Sequence, residues 1–204
     1  MFDIVFDGGG EGWQLVDPRP IKAMAPYTFF TPSEAELAAL QPGDVVQLGV
    51  TPVGLTDGAA ERIWLRLTEQ MQTAWRGVVE TGEVPGMGPG AELDVQPWHV
   101  LAVQECRVDD LEEEARYLAR ACVDTRILEG YVGIAMLERR EPQAVAGPWP
   151  DTGWVFLGPG EVPALHVGPI GLVLNIDDSM MPLLRAPVGV RIERFSEGWR
   201  RARA

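Results

Sequence analysis

The chain is poor in the residues that carry out most chemistry. Its 204 residues include 2 histidines and 2 cysteines. Neither type recurs at the spacing a zinc site needs: Cys-x-x-Cys and His-Glu-x-x-His are both missing. Gly-x-Ser-x-Gly is missing too, which removes the most obvious serine-hydrolase reading. Gly8, Gly9, Gly10 and Gly12 surround Glu11 and lead to Trp13 with no lysine, so they read as a turn that breaks a strand and not as a phosphate cradle. No apolar run approaches the ~20 residues that span a bilayer. Residues 1–7 carry acids where a secretory signal carries bases, so the sequence predicts a cytoplasmic protein. Cys106 and Cys122 are expected to be reduced, buried thiols. With no nucleophile beside a base, the expectation is a protein without catalytic activity, cofactor or metal.

Acid is what the chain has in excess. Its formal net charge is −13, and lysine supplies only Lys22 among 17 basic residues. Residues 1–106 hold 15 acids against 5 bases, and residues 107–204 hold 15 against 12. A phosphate-binding surface needs a basic patch, so nucleic-acid binding by the first half is not expected. An acidic surface steers a basic partner, or simply confers solubility.

The hydrophobic pattern predicts an α+β chain in two parts. Residues 1–106 read as a small β-rich domain, a partly open barrel with one short helix. Strands are expected over residues 2–6, 13–16, 44–50, 62–69, 73–81, 92–95 and 99–104. In the fourth, Ile63, Leu65 and Leu67 face one way and Trp64, Arg66 and Thr68 the other. Pro18, Pro20 and Pro26 predict an extended connector. Thr31-Pro32-Ser33-Glu34 opens the helix, with Thr31 as cap, Glu34 closing a capping box, and Leu37 and Leu40 on one face. Residues 107–204 read as an α+β domain, an antiparallel sheet under a covering helix. That helix starts at the acids Asp109, Asp110 and Glu112 and carries Leu111, Ala115, Leu118 and Ala119 as its apolar stripe. Strands are expected over residues 121–126, 132–138, 154–157, 171–175 and 188–195. Around Trp154 a turn at Pro150, Asp151 and Gly153 delivers a buried strand that Gly158-Pro159-Gly160 stops. The segment 181–189 returns to pack beside it.

His99 and His166 both read as hydrogen-bonded structural histidines. Asn175, Asp177 and Asp178 have the spacing of oxygen ligands on a turn, but Asp177-Asp178-Ser179 more simply caps a helical turn carrying Met180, Met181 and Leu184. Tryptophans near turns are either interface anchors or core. The residues that remain as candidates for contacting a partner are Trp149, Asp151, Glu161, Asp177 and Asp178.

A family resemblance enters through the second half. Ala121-Cys122-Val123, Gly130-Tyr131-Val132-Gly133, Arg140-Glu141-Pro142, Asp151-Thr152-Gly153-Trp154-Val155-Phe156, Pro182-Leu183-Leu184, Pro187-Val188-Gly189 and Glu193-Arg194 occur in that order. Over residues 119–195 this resembles bacterial immunity protein family 33. Two departures stand out: Val155 occupies a position that carries arginine in the family, and Gly158-Pro159-Gly160-Glu161 replaces its acidic run. Thr31-Pro32, residues 42–46 and residues 61–65 give the first half a weaker resemblance to a small β-rich bacterial domain. The resemblance implies a protein that neutralises a toxin by binding it, and an acidic first half suits a basic toxin. The competing expectation is a small-ligand or regulatory module with an inter-domain cleft edged by His99 or Asp177.

Overall fold

The computed structural model describes residues 5–54, 60–105, 109–144 and 146–202. The chain divides into two compact units, Met1–Leu111 and Glu112–Ala204. The boundary expected at Cys106, that cysteine itself, and residues 2–4 lie outside the described residues. The described chain is mixed α and β and mostly strand.

Seven antiparallel strands form the first unit: β1 (Val5–Gly10), β2 (Trp13–Asp17), β3 (Val45–Pro52), β4 (Glu61–Gln70), β5 (Trp75–Thr81), β6 (Glu92–Val95) and β7 (Val100–Val103). They follow one another in order from β1 to β6. One edge of β3 pairs with β4; the other is shared, β2 taking its end and β7 its start. The sheet is thereby wound nearly into a barrel. Alternation in β4 sets its inner face, where Ile63, Leu65 and Leu67 are fully buried against Leu48, Val79 and Val95 of one cluster. Each such side chain contributes about 1.5–3 kcal/mol of burial.

Four local expectations are corrected. Gly8, Gly9 and Gly10 do not break β1: they belong to it, with a register shift between Phe6 and Gly9, and the turn falls at Glu11-Gly12. The proline-rich connector contains a helix, α1 (Arg19–Met24). Pro20 lies in its first turn, where a missing N–H costs nothing, and Asp17 Oδ1 accepts the Arg19 amide at 3.0 Å. Among the described residues before Cys106 there are therefore two α-helices where one was expected. The second, α2 (Glu34–Ala38), starts two residues later than expected: Ser33 caps it and Glu36 closes the box. Thr31 instead accepts a hydrogen bond from Lys22 Nζ.

The second unit centres on β10 (Asp151–Leu157). Around it the six-stranded sheet runs β11 (Leu165–Pro169), β8 (Arg120–Asp124), β10, β9 (Met136–Arg139), β12 (Arg191–Phe195) and β13 (Gly198–Arg201). β8 and β10 are parallel, so the sheet is mixed, not antiparallel. Residues 153–157 are all buried, which fits a central strand with both faces covered. Asp151 and Gly153 are part of this strand and not of a turn before it. Gly153 takes φ +73°, and a Cβ there would sit 2.1 Å from the Arg140 carbonyl oxygen.

The helix α3 (Asp109–Leu118) forms as expected, although the side chains of its capping acids and Leu111 lie outside the described set. The helix that packs on β8 and β11 is a different one, α5 (Ile170–Leu174). A strand was expected there. Ile170, Val173 and Leu174 are buried at helical spacing, and a short apolar run does not distinguish the two periods. Residues 125–128 likewise turn helical, as α4 (Thr125–Leu128), once Asp124 accepts the Arg126 amide. After α5, Asp177 caps a 3-10 helix over Asp178–Arg185 as expected, with Met180 fully buried.

Candidate functional site

The five candidate contact residues are not gathered in one place. Asp151 opens β10, whereas Glu161 follows its far end, beyond a strand that spans roughly 20 Å. Asp151 uses its two oxygens locally, accepting the amides of Gln143 (2.7 Å) and Gly153 (3.0 Å). Asp177 accepts the Ser179 amide and pairs with Arg194 at 2.5 Å. Burial works against its ionisation, but hydrogen bonds from Ser179 and Arg194 outweigh it and hold the carboxyl below its usual range. Trp149 is half-buried, while Glu161 and Asp178 are exposed. Among the described residues no group of three or more His, Cys, Asp or Glu is placed to hold a metal ion.

The two histidines part company. His99 is buried, accepts the Gln96 amide through Nδ1 at 3.1 Å and turns Nε2 toward Asp7, 3.9 Å away. Asp17, also buried, is gripped by Arg19 through Nε and Nη2, and Arg19 lies 4.6 Å over the Trp98 ring. Burial pushes the His99 pKa down. This cluster ties the first hairpin to the 3-10 turn Pro97–His99. His166, expected to be structural, is exposed on β11. Cys122 is a free, half-buried thiol whose pKa burial pushes up.

Two grooves of opposite charge stand out, one in each unit. In the first unit, a groove of about 520 Å³ runs between α2 and the start of β3 and is lined by Glu36, Leu40, Asp44, Arg66, Val103 and Glu105. Its one base, Arg66, pairs with Glu80 at 2.5 Å. Arg19 and Arg76 are likewise held by Asp17 and Asp94, whereas exposed Glu11, Glu34, Glu61, Glu83 and Glu105 pair with no described base. Three of the unit's arginines are thus held by its own acids, Arg62 bonds Gln47 instead, and the surplus acids are left outward.

In the second unit, a groove of about 730 Å³ has Trp154, Ile170 and Leu174 as its floor and Met181, Pro182 and Leu184 as a wall. Arg116, Arg139 and Arg185 line it as well, with Tyr117 and Thr152. No acid lines it. Arg139 lies 5.6 Å over the Trp154 ring and donates through Nη1 to the Ala186 carbonyl, while its Nε is buried without a partner. This places the segment after α5 beside Trp154, as the sequence suggested. The arginines escaped sequence reading because they lie far apart in the chain, on α3, β9 and the 3-10 helix. A scan against protein-family models, a search of curated proteins and a search of solved structures each return no match.

Proposed function

We propose that this chain is an immunity-like cytoplasmic binding protein that neutralises a toxin or other basic protein by direct contact. The supporting observation is the acidic groove of the first unit: Glu36, Asp44 and Glu105 face its single base, which Glu80 already engages. A partner's lysine or arginine entering there meets net negative charge, and the surplus acids around it raise the encounter rate of a basic protein. We also take the two compact units as two domains, which predicts that limited proteolysis releases stable fragments cut between residues 105 and 119.

The test is capture on the tagged chain from its native cells at low salt, with the partner identified by mass spectrometry. A basic partner is expected, bound in simple stoichiometry and lost at high salt. Glu105→Lys, at an exposed position, should slow its association, and co-expression should relieve its toxicity. A partner insensitive to both salt and Glu105→Lys would overturn the reading. A small-ligand role gains its own support from the second groove.

A further inference from the structure

Among the described arginines of the second unit, Arg126, Arg140, Arg191, Arg194 and Arg200 each pair with a carboxylate of the same unit. Arg116, Arg120, Arg139, Arg185 and Arg201 have no described carboxylate partner, and three of these five, Arg116, Arg139 and Arg185, line the 730 Å³ groove. That volume is of the size that holds small organic molecules. An arginine cluster over an apolar floor, with no acid in the lining, complements a ligand that is apolar along its body and anionic at one end.

Arg139 identifies the headgroup. Its Nη1 is committed to the Ala186 carbonyl and its ring-facing side to Trp154, which leaves the Nε–Nη2 edge. In this same molecule Arg19 and Arg76 use that edge to hold Asp17 and Asp94 two-fold, at 2.8–3.0 Å. A planar two-oxygen acceptor matches it, and Nε of Arg139 has none. Exposed Arg116 and Arg185 supply further positive charge around the opening. Met181 and Leu184, both half-buried on the 3-10 helix, offer an adaptable wall to an alkyl or aryl body.

We propose that this groove binds a small amphipathic carboxylate, with the apolar body on Trp154, Leu174 and Leu184 and the carboxylate on Arg139. The site lies wholly within the second unit and is independent of the acidic groove of the first. The test is calorimetric titration of the full chain with octanoate, octyl phosphate and octanol. Octanoate should bind one to one, and octanol at least about tenfold more weakly, since it lacks the charge the arginines complement. Arg139→Lys keeps the charge but removes the fork and should weaken octanoate by a similar factor. Arg185→Glu, at an exposed position that does not threaten folding, should weaken it as well while leaving the far-UV spectrum unchanged. Equal binding of octanoate and octanol, preference for octyl phosphate, or octanoate binding unaffected by Arg185→Glu would each overturn the proposal. So would failure of octanoate to bind while an acidic peptide does.

Discussion

Replacing Trp154 by alanine tests whether the second unit is built around its central strand. Trp154 is 2% exposed, with its ring 6.3 Å from that of Phe156 and under the Arg139 guanidinium. A buried tryptophan removes roughly 150–250 Å² from water, worth about 4–6 kcal/mol at ~25 cal/mol per Å². Alanine keeps part of that, and partial collapse recovers more, so the expected loss is ~3–5 kcal/mol. If the second unit unfolds by itself, each kcal/mol lowers Tm by about 4–8 °C, and the shift is at least ~12 °C. If the whole chain unfolds as one, each kcal/mol is worth about 2–4 °C, and the shift is at least ~6 °C. Urea titration followed by far-UV circular dichroism measures the loss without relying on the fluorophore removed. Trp199→Ala is the control: half-buried, stacked 5.1 Å from Arg194, and hydrogen-bonded to Ser179, it should cost only about 1 kcal/mol. A Trp154→Ala chain within ~1 kcal/mol of the parent would refute the argument, because no buried aromatic of this size leaves so little behind.

Three further outcomes follow from particular contacts. Asp124 is fully buried, grips Arg126 two-fold and accepts the Arg126 and Gly158 amides. Asp124→Ala strips the partner from this pair and should cost ~3–5 kcal/mol in a denaturant titration. Gly153→Ala places a methyl 2.1 Å from the Arg140 carbonyl at φ +73°, and should lower Tm by more than Gly160→Ala, where no atom lies within 4 Å of the new Cβ. The pH dependence has two windows. His99 is held neutral by burial, so its folded pKa lies below 6.5. The unfolded chain takes up that proton first, and stability should decline as pH falls through ~6.5, by at most about 1.4 kcal/mol per pH unit. Asp7 and Asp17, which face the ring, oppose the effect, and Arg19 adds to it. His99→Asn should flatten the curve between about pH 5 and 7. Asp17 and Asp124 are held below 3.8 by hydrogen bonds from Arg19 and Arg126, so their contribution is present above that value and is lost only as pH falls further.

Strands whose two faces differ were legible in the residues themselves. Ile63, Leu65 and Leu67 alternate with Arg62, Trp64, Arg66 and Thr68, which are less buried, and only one register buries all three. The same logic fails where both sides of an element are buried. Residues 170–174 are apolar throughout, so periodicity has nothing to contrast, and a helix was indistinguishable from the expected strand. Helices that short depend on local capping more than on composition. The Asp17 carboxylate takes the first amide of α1, between Pro18 and Pro20, and Ser33 outcompetes Thr31 because Glu36, not Glu34, reaches back to it. The antiparallel reading of the second sheet failed for a different reason. Parallel pairing of β8 with β10 depends on a crossover that no pair of adjacent segments announces.

The candidate sites divide along the same line. Acidic charge is a sum over residues, so the character of the first unit was visible before its shape. A groove is a product of topology, and the residues that matter there are those left unpaired after folding. Asp151 and Asp177 looked like surface contacts because carboxylates beside turns usually are, yet the fold uses them to hold Gly153 and Ser179. Arg139 sits in the charged run Glu138, Arg139 and Arg140. Its neighbours pair: Glu138 takes both Arg140 and Arg191. Strand alternation sends Arg139 to the other face, over Trp154, where no acid follows it. The partition that leaves this arginine without a carboxylate is set by the parity of a strand and the return of the 3-10 helix over Asp178–Arg185, and it is the basis of the proposed preference for an anion.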